Sequence, residues 1–268
     1  MFWITPLMSL ASLFVSHGSP MWALAPGTTA GALAAWVAQQ ATPRAVLVIS
    51  PHWMTPSHPM VMTGTHPQTW HDFGGFAPAL YQLQYPAPGA PDVASRAQTL
   101  LRDAGWQAGA DAQRPFDHGA WVPMRHMWPQ ALVPMCQVSL PAHRSPAELM
   151  RMGQALSPLR DEGVLIMATG SMTHNLIERN RSGDLSYVGA FAAWMRQAVL
   201  AGDTDKLLDW AAQAPEAKRA HPTDEHLLPL FIALGAAHPH ESPQWLSEEI
   251  QYGFLAMDAV AWGGQPTR

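Results

Sequence analysis

The chain has 268 residues, 48% of them hydrophobic and 13% charged, a charged share near half the usual ~25%. That balance excludes a disordered tail protein and a charge-laced coiled coil, and a net charge of −5 excludes an electrostatic footprint for nucleic acid. A single cysteine, Cys136, excludes an internal disulfide and a Cys-rich zinc site, and makes a reducing cytoplasm the expected compartment.

Residues Met1–Ser16 are apolar, but no Lys or Arg precedes the run and no small-residue cleavage pattern follows it closely. A secretory signal is not expected, and the run is too short for a membrane span. Leu10–Ser16 reads as a buried first strand. Thr28 or Thr29 is placed to cap a helix running to about Gln40. Ala45–Ser50 and Val164–Thr169 share the unbroken apolar character of strands covered on both faces. Proline clusters at 56–67 and 86–91 mark ordered loops over one face. Asp92–Ala104 has helical spacing that stops at Gly105. Val133–Leu140 reads as a strand with Cys136 as an inert core residue. Pro146–Arg160, Tyr187–Leu200, Asp203–Ala212 and Asp224–Ala237 read as helices, and Tyr252–Trp262 as a late strand at an edge. Strands alternating with helices imply an α/β fold. The expectation is one domain over residues 1–268, a sandwich with a central mixed, mostly parallel sheet flanked by helices. No window approaches ~18 apolar residues, so no membrane span is expected.

Histidine is the anomaly, at 13 residues against 15 Lys and Arg. With only two lysines, the excess is partly a matter of overall composition, so position carries the argument. Three strands lead to an imidazole: Leu13–Ser16 to His17, Val48–Pro51 to His52, and Ile166–Gly170 through Ser171–Thr173 to His174. In open α/β sheets ligands bind beyond the carboxyl ends of the strands, which aims these rings at one crevice. His226 follows Thr223, read as a helix N-cap; a helix N-terminus disfavours protonated imidazole and so favours the metal-binding form. His118 enters a helix over Ala120–Trp128 with Asp117 beside it. His71-Asp72-Phe73-Gly74-Gly75-Phe76 adds a carboxylate and two glycines. His58, His66, His126, His143, His238 and His240 have no such surroundings.

Three or four imidazoles without a thiolate suit Zn(II), Fe(II) or Cu(II). An Fe(II) oxygenase ordinarily adds a carboxylate ligand, for which Asp72, Asp117, Asp224 and Glu225 are available, although His226 is better placed. A zinc-dependent hydrolase would use the same donors around one activated water. A non-catalytic metal-binding or interaction protein is a further reading. The residues alone leave these open. No phosphate-binding loop and no G-x-S-x-G nucleophile elbow is present. Trp53, Trp70, Phe73, Phe76 and Trp121 are aromatic side chains able to stack on a planar ring. Arg125 and Arg179 are cations able to meet a substrate carboxylate.

At these motifs the chain resembles the class III extradiol ring-cleaving dioxygenases, in the DOPA 4,5-dioxygenase-like branch. The matching segments are His17-Gly18-Ser19-Pro20-Met21, Ser50-Pro51-His52-Trp53 and His71 to Phe76. Tyr85-Pro86-Ala87-Pro88-Gly89, Asp117-His118-Gly119-Ala120-Trp121, Thr173-His174-Asn175-Leu176 and Pro222-Thr223-Asp224-Glu225-His226 follow in order. The resemblance implies a mononuclear metal held by His17, His52 and His226, the last standing where more distant relatives carry Glu. It implies His174 as catalytic acid/base, close enough to serve as a fourth metal contact, and His118 as a catalytic residue facing substrate. The implied cofactor is Fe(II) for activity, with Zn(II) able to occupy the same site in purified protein. The implied partners are a small aromatic diol and O2, without nucleic acid or membrane.

Overall fold

Leu13, Phe14 and Val15 have no exposed surface, and neither do residues 46–49 nor residues 166–168. Burial on both faces explains why these runs are continuously apolar rather than alternating. Each Val, Leu, Ile, Phe or Met among them contributes about 1.5–3 kcal/mol relative to exposure. The computed structural model describes residues 9–180 and 183–264, so the leading residues 1–8 of the first apolar run lie outside it.

The strands are β1 (Ser12–Ser16), β2 (Ala45–Thr55), β3 (Met60–Met62), β4 (Gly109–Asp111), β5 (Met135–Pro141), β6 (Val164–Gly170), β7 (Pro243–Ser247), β8 (Ile250–Gln251), β9 (Leu255–Ala256) and β10 (Ala259–Trp262). Eight of them form one sheet in the order β4-β3-β5-β2-β6-β1-β10-β7, while β8 and β9 pair separately. The central strands β5, β2, β6 and β1 run parallel. Strand β3 is antiparallel to β5, and β10 is antiparallel to both β1 and β7. The sheet is therefore mixed with a parallel centre, as expected. The late strand is not at an edge: it breaks after Ala256, and β10 lies inside the sheet with β7 beyond it.

The helices are α1 (Gly27–Val37), α2 (Pro91–Asp103), α3 (His118–Met127), α4 (Pro146–Leu156), α5 (Pro158–Asp161), α6 (Ser186–Ala201), α7 (Thr204–Leu208), α8 (Trp210–Gln213), α9 (Ala217–Ala220) and α10 (Pro229–Ala236). They flank the sheet in two main groups. Helix α10 packs on α4, β6 and β1, and α4 on α2; α3 packs on β2 and α1. Two expected helices are divided. Pro158 cannot continue the hydrogen-bond ladder of α4, and Asp209 separates α7 from α8. Helix α1 is not capped by its own threonines. The Glu249 carboxylate accepts from the backbone N–H of Thr28 and Thr29 at 2.9 and 2.8 Å. Among the described residues no helix is long and apolar enough to cross a membrane.

Candidate metal centre

Strands β2, β6 and β1 are adjacent and parallel, so their carboxyl ends lie side by side and bring His52, His174 and His17 to one rim of the sheet. His17 directly follows β1, and its N–H donates to the Gly170 carbonyl at 2.9 Å. His52 is not in a loop after the strand but within β2. Pairing with β5 jumps from Ser50 to Met54, and this irregularity at Pro51–Trp53 reorients His52.

His226 departs from its expected setting. Residues 225–228 form a turn and α10 begins only at Pro229, which suits the first helical position; Thr223 caps nothing and its hydroxyl donates to Glu225 Oε1 at 3.1 Å. Burial, not a helix terminus, keeps this imidazole neutral. The turn is docked on β6, where Ser171 donates its N–H to the His226 carbonyl at 2.9 Å. His174 is held in turn by its own N–H donating to Ala220 at 2.9 Å.

Five imidazoles converge. His17 Nε2 lies 3.1 Å from His52 Nε2, and the His17, His52 and His226 ring centroids are 5.0 to 5.5 Å apart. His118 stands 4.0 Å from His52 and 5.4 Å from His17, centroid to centroid. His174 stacks on His226 at 3.5 Å with the planes 10° apart. Burial, reinforced by the neighbouring histidines, holds His17 and His226 well below the ordinary imidazole range. Burial also lowers His52 and His174 to about 4 each. All four are therefore neutral near pH 7.

The donor set fits a metal ion. Two imidazole nitrogens bound to one ion at ~2.1 Å lie roughly 3.0–3.4 Å apart, and His17 and His52 meet that spacing. One ligand atom from each of His17, His52 and His226 lies within 4.8 Å of the others. His174 does not join that trio; it groups with His226 and Glu225. Neutral nitrogen donors without a thiolate suit Fe(II), Zn(II) or Cu(II).

Asp72 connects two of the rings. One carboxylate oxygen accepts from His118 N–H and from His118 Nδ1, both at 2.9 Å, and the other lies 3.6 Å from His52 Nδ1. Burial works to raise this carboxyl, but the His118 hydrogen bonds outweigh it and hold Asp72 below its ordinary value. Asp117, adjacent to His118 in sequence, is not its partner. It is fully buried, caps α3 at Ala120, and accepts from Ser50 Oγ, Arg114 Nη2 and Gln137 Nε2 at 2.8 to 3.0 Å.

The histidines open on a cavity of about 540 Å³, walled by Phe73, Phe76, Tyr252 and Phe254, with Arg179 as its one non-histidine charge among the described lining. That volume suits a small organic ligand. A larger groove of about 680 Å³ past Trp106 and Arg151 receives none of the five histidines. Of the expected aromatics, Trp53 and Trp70 instead clamp the Arg114 guanidinium at 4.9 and 4.8 Å, and Trp121 is buried with its Nε1–H on the Trp70 carbonyl. Arg125 is not part of the lining. Arg114, Tyr252 and Phe254 carry no motif signal in the sequence.

Residues 12–257 match the family described as the catalytic LigB subunit of aromatic ring-opening dioxygenase. A 4,5-DOPA dioxygenase extradiol of Beta vulgaris is 38% identical, covering 91% of this chain and 93% of the relative. Another of that name from Escherichia coli K12 is 34% identical over 95% of each chain. A crystal structure of an uncharacterised Escherichia coli K12 protein shares the fold with a TM-score of 0.73 at 27% identity, covering 95% of this chain and all of that one. With the family match spanning nearly the whole chain and the relatives alike end to end, the protein belongs to the class III extradiol (LigB-type) aromatic ring-opening dioxygenases, in the DOPA-like branch, and is an oxidoreductase.

Proposed function

We propose that this chain opens the ring of a catechol-type substrate with O2, using Fe(II) held by His17, His52 and His226. The observation that carries the reading is the convergence of five imidazoles, four of them forced neutral, on a cavity with aromatic walls. Fe(II), when bound, supplies the electrophilic centre and one-electron chemistry that O2 requires; Zn(II) suits the same donors but has no redox chemistry.

The remaining steps belong to the chain's own side chains. Phe73 and Phe76 present apolar surface to a planar ring and exclude water around it. His174, neutral and facing the cavity, accepts a proton from a diol hydroxyl and returns one to an oxygen of the product. Its stack on His226 keeps that base beside the metal ligands. His118, when it donates Nδ1–H to Asp72, keeps Nε2 as an acceptor for a substrate hydroxyl. A reducing compartment such as the cytoplasm suits both Fe(II) and the free Cys136.

His174→Ala tests the assignment. The variant should bind one metal ion per chain as the wild type does and lose ring opening by roughly 10²–10⁴-fold. Unchanged turnover would remove His174 from the reaction, and loss of the metal would make it a ligand rather than a base.

A further inference from the structure

The three expected ligands contribute no negative charge, so a divalent ion among them would leave two positive charges in a buried site. Isolated buried charge is strongly unfavourable unless it is compensated. The Nδ1 atoms of the three rings differ in what they meet. His17 Nδ1 is buried with no hydrogen-bond partner among the described residues, and His52 Nδ1 is 3.6 Å from Asp72. His226 Nδ1 alone makes a short contact with a carboxylate, Glu225 Oε1 at 3.0 Å. That oxygen also accepts from the Thr223 hydroxyl at 3.1 Å.

We propose that Glu225 is a positioning residue that compensates the charge of the metal centre through His226. An Nδ1–H donated to a carboxylate fixes the His226 tautomer, leaves the Nε2 lone pair free for a metal, and makes the imidazole a stronger donor. The negative charge thus stands behind the ring instead of on the ion. Glu225 does not reach the substrate cavity. It lines a separate hollow of about 520 Å³ together with Asp224 and Lys218, and no member of the converging histidine set lines that hollow. Glu225 also stands within 4.8 Å of a His174 nitrogen, so the role is separated from substrate binding by metal retention, which depends on Glu225, whereas the diol fits a cavity that Glu225 does not line.

This inference rests on His226 being a metal ligand, and the experiment tests the two separately. Chelator-stripped full-length protein is titrated with Zn(II) by calorimetry and with Co(II) by visible absorption, in wild type, His226→Ala, Glu225→Gln and Glu225→Ala. Wild type should take up one ion per chain and His226→Ala should lose it. Glu225→Gln, which keeps an acceptor oxygen but no charge, should bind about 10-fold more weakly, and Glu225→Ala up to about 100-fold more weakly. The Co(II) bands should shift in both, and KM for catechol in fully Fe(II)-loaded enzyme should stay at the wild-type value. If His226→Ala binds as wild type does, the ligand assignment fails and this role fails with it. If His226→Ala loses the ion while Glu225→Gln binds like wild type, the ligand stands and charge compensation is overturned. A raised KM with unaltered metal affinity would equally overturn it, by placing Glu225 on the substrate side.

Discussion

A Cβ at Gly170 would collide with the carbonyl oxygen of His226, so only glycine lets the His226 turn sit on the end of β6. The same end holds two expected ligands: the Gly170 carbonyl accepts from His17 N–H, and Ser171 N–H donates to the His226 carbonyl, both at 2.9 Å. Parallel strand ends bring the histidines together, and this backbone contact sets their spacing.

Gly170→Ala should therefore act on the centre without touching any donor atom. Overpacking at a tight contact costs about 1–3 kcal/mol. The melting temperature should fall, and the extra stabilisation that Zn(II) gives wild type should largely vanish. Thermal unfolding with and without Zn(II) reads both effects; an unaltered zinc response would show that the turn does not depend on this contact.

Arg114 links the core to His52. Its guanidinium lies between Trp53 and Trp70, and Nη2 donates at 3.0 Å both to the His52 carbonyl and to the fully buried Asp117. Arg114→Ala leaves a buried carboxylate without its counter-ion and should destabilise the fold by about 3–5 kcal/mol. Lysine has no planar fork to stack and donate at once, so Arg114→Lys should recover little of the loss. Urea denaturation of the three proteins checks this, and a lysine variant as stable as wild type would refute the geometric argument.

Arg179 is the one fixed cation among the described residues that line the substrate cavity, and no carboxylate lines it. Arg179→Ala should raise KM for a catechol bearing a carboxylate, such as 3,4-dihydroxyphenylacetate, by about 5- to 10-fold, in keeping with a solvent-screened ion pair of about 1 kcal/mol. KM for unsubstituted catechol should barely change. Equal effects on both substrates would mean that Arg179 shapes the cavity without reading charge.

His221 makes stability depend on pH. It is buried against Phe191 and Trp210, with Nε2 2.9 Å from the Met172 carbonyl. Burial lowers its pKa from the ordinary 6.5 to about 4, against the opposing pull of that carbonyl. The unfolded chain takes up this proton below about pH 6.5, whereas the folded chain does so only near 4. Between those values the unfolded state binds more protons, so stability falls as the pH falls, by at most about 1.4 kcal/mol per pH unit for this group. Melting curves of chelator-stripped protein from pH 7 to 4.5 should show the decline. His221→Gln, which keeps a donor for Met172, should show a shallower one; a slope identical to wild type would exclude His221 as its source.

What the sequence made legible follows from where information is local. The parallel centre was readable because strands β1, β2 and β6 are buried on both faces and therefore unbroken in apolar character. His17, His52 and His174 were readable as a group because strand direction alone aims them at one rim. The His226 turn was misjudged because Thr223 looks like a cap, while the helix waits for Pro229. Adjacency of Asp117 to His118 does not reveal the partner of His118, which is Asp72, 46 residues away, a contact that only topology creates. Trp53 and Trp70 looked like ring-stacking surfaces and instead hold Arg114, because their surroundings come from residues distant in sequence.

The central claim is tested most directly by oxygen uptake. Anaerobically stripped protein is loaded with one equivalent of Fe(II), given a catechol, and then exposed to O2 in an electrode cell with the visible spectrum recorded. The predicted result is uptake of one O2 per diol consumed, with a yellow ring-fission product, abolished when Zn(II) replaces Fe(II). No uptake and no product across a panel of catechols, by protein that demonstrably holds one Fe(II) at His17, His52 and His226, would contradict it.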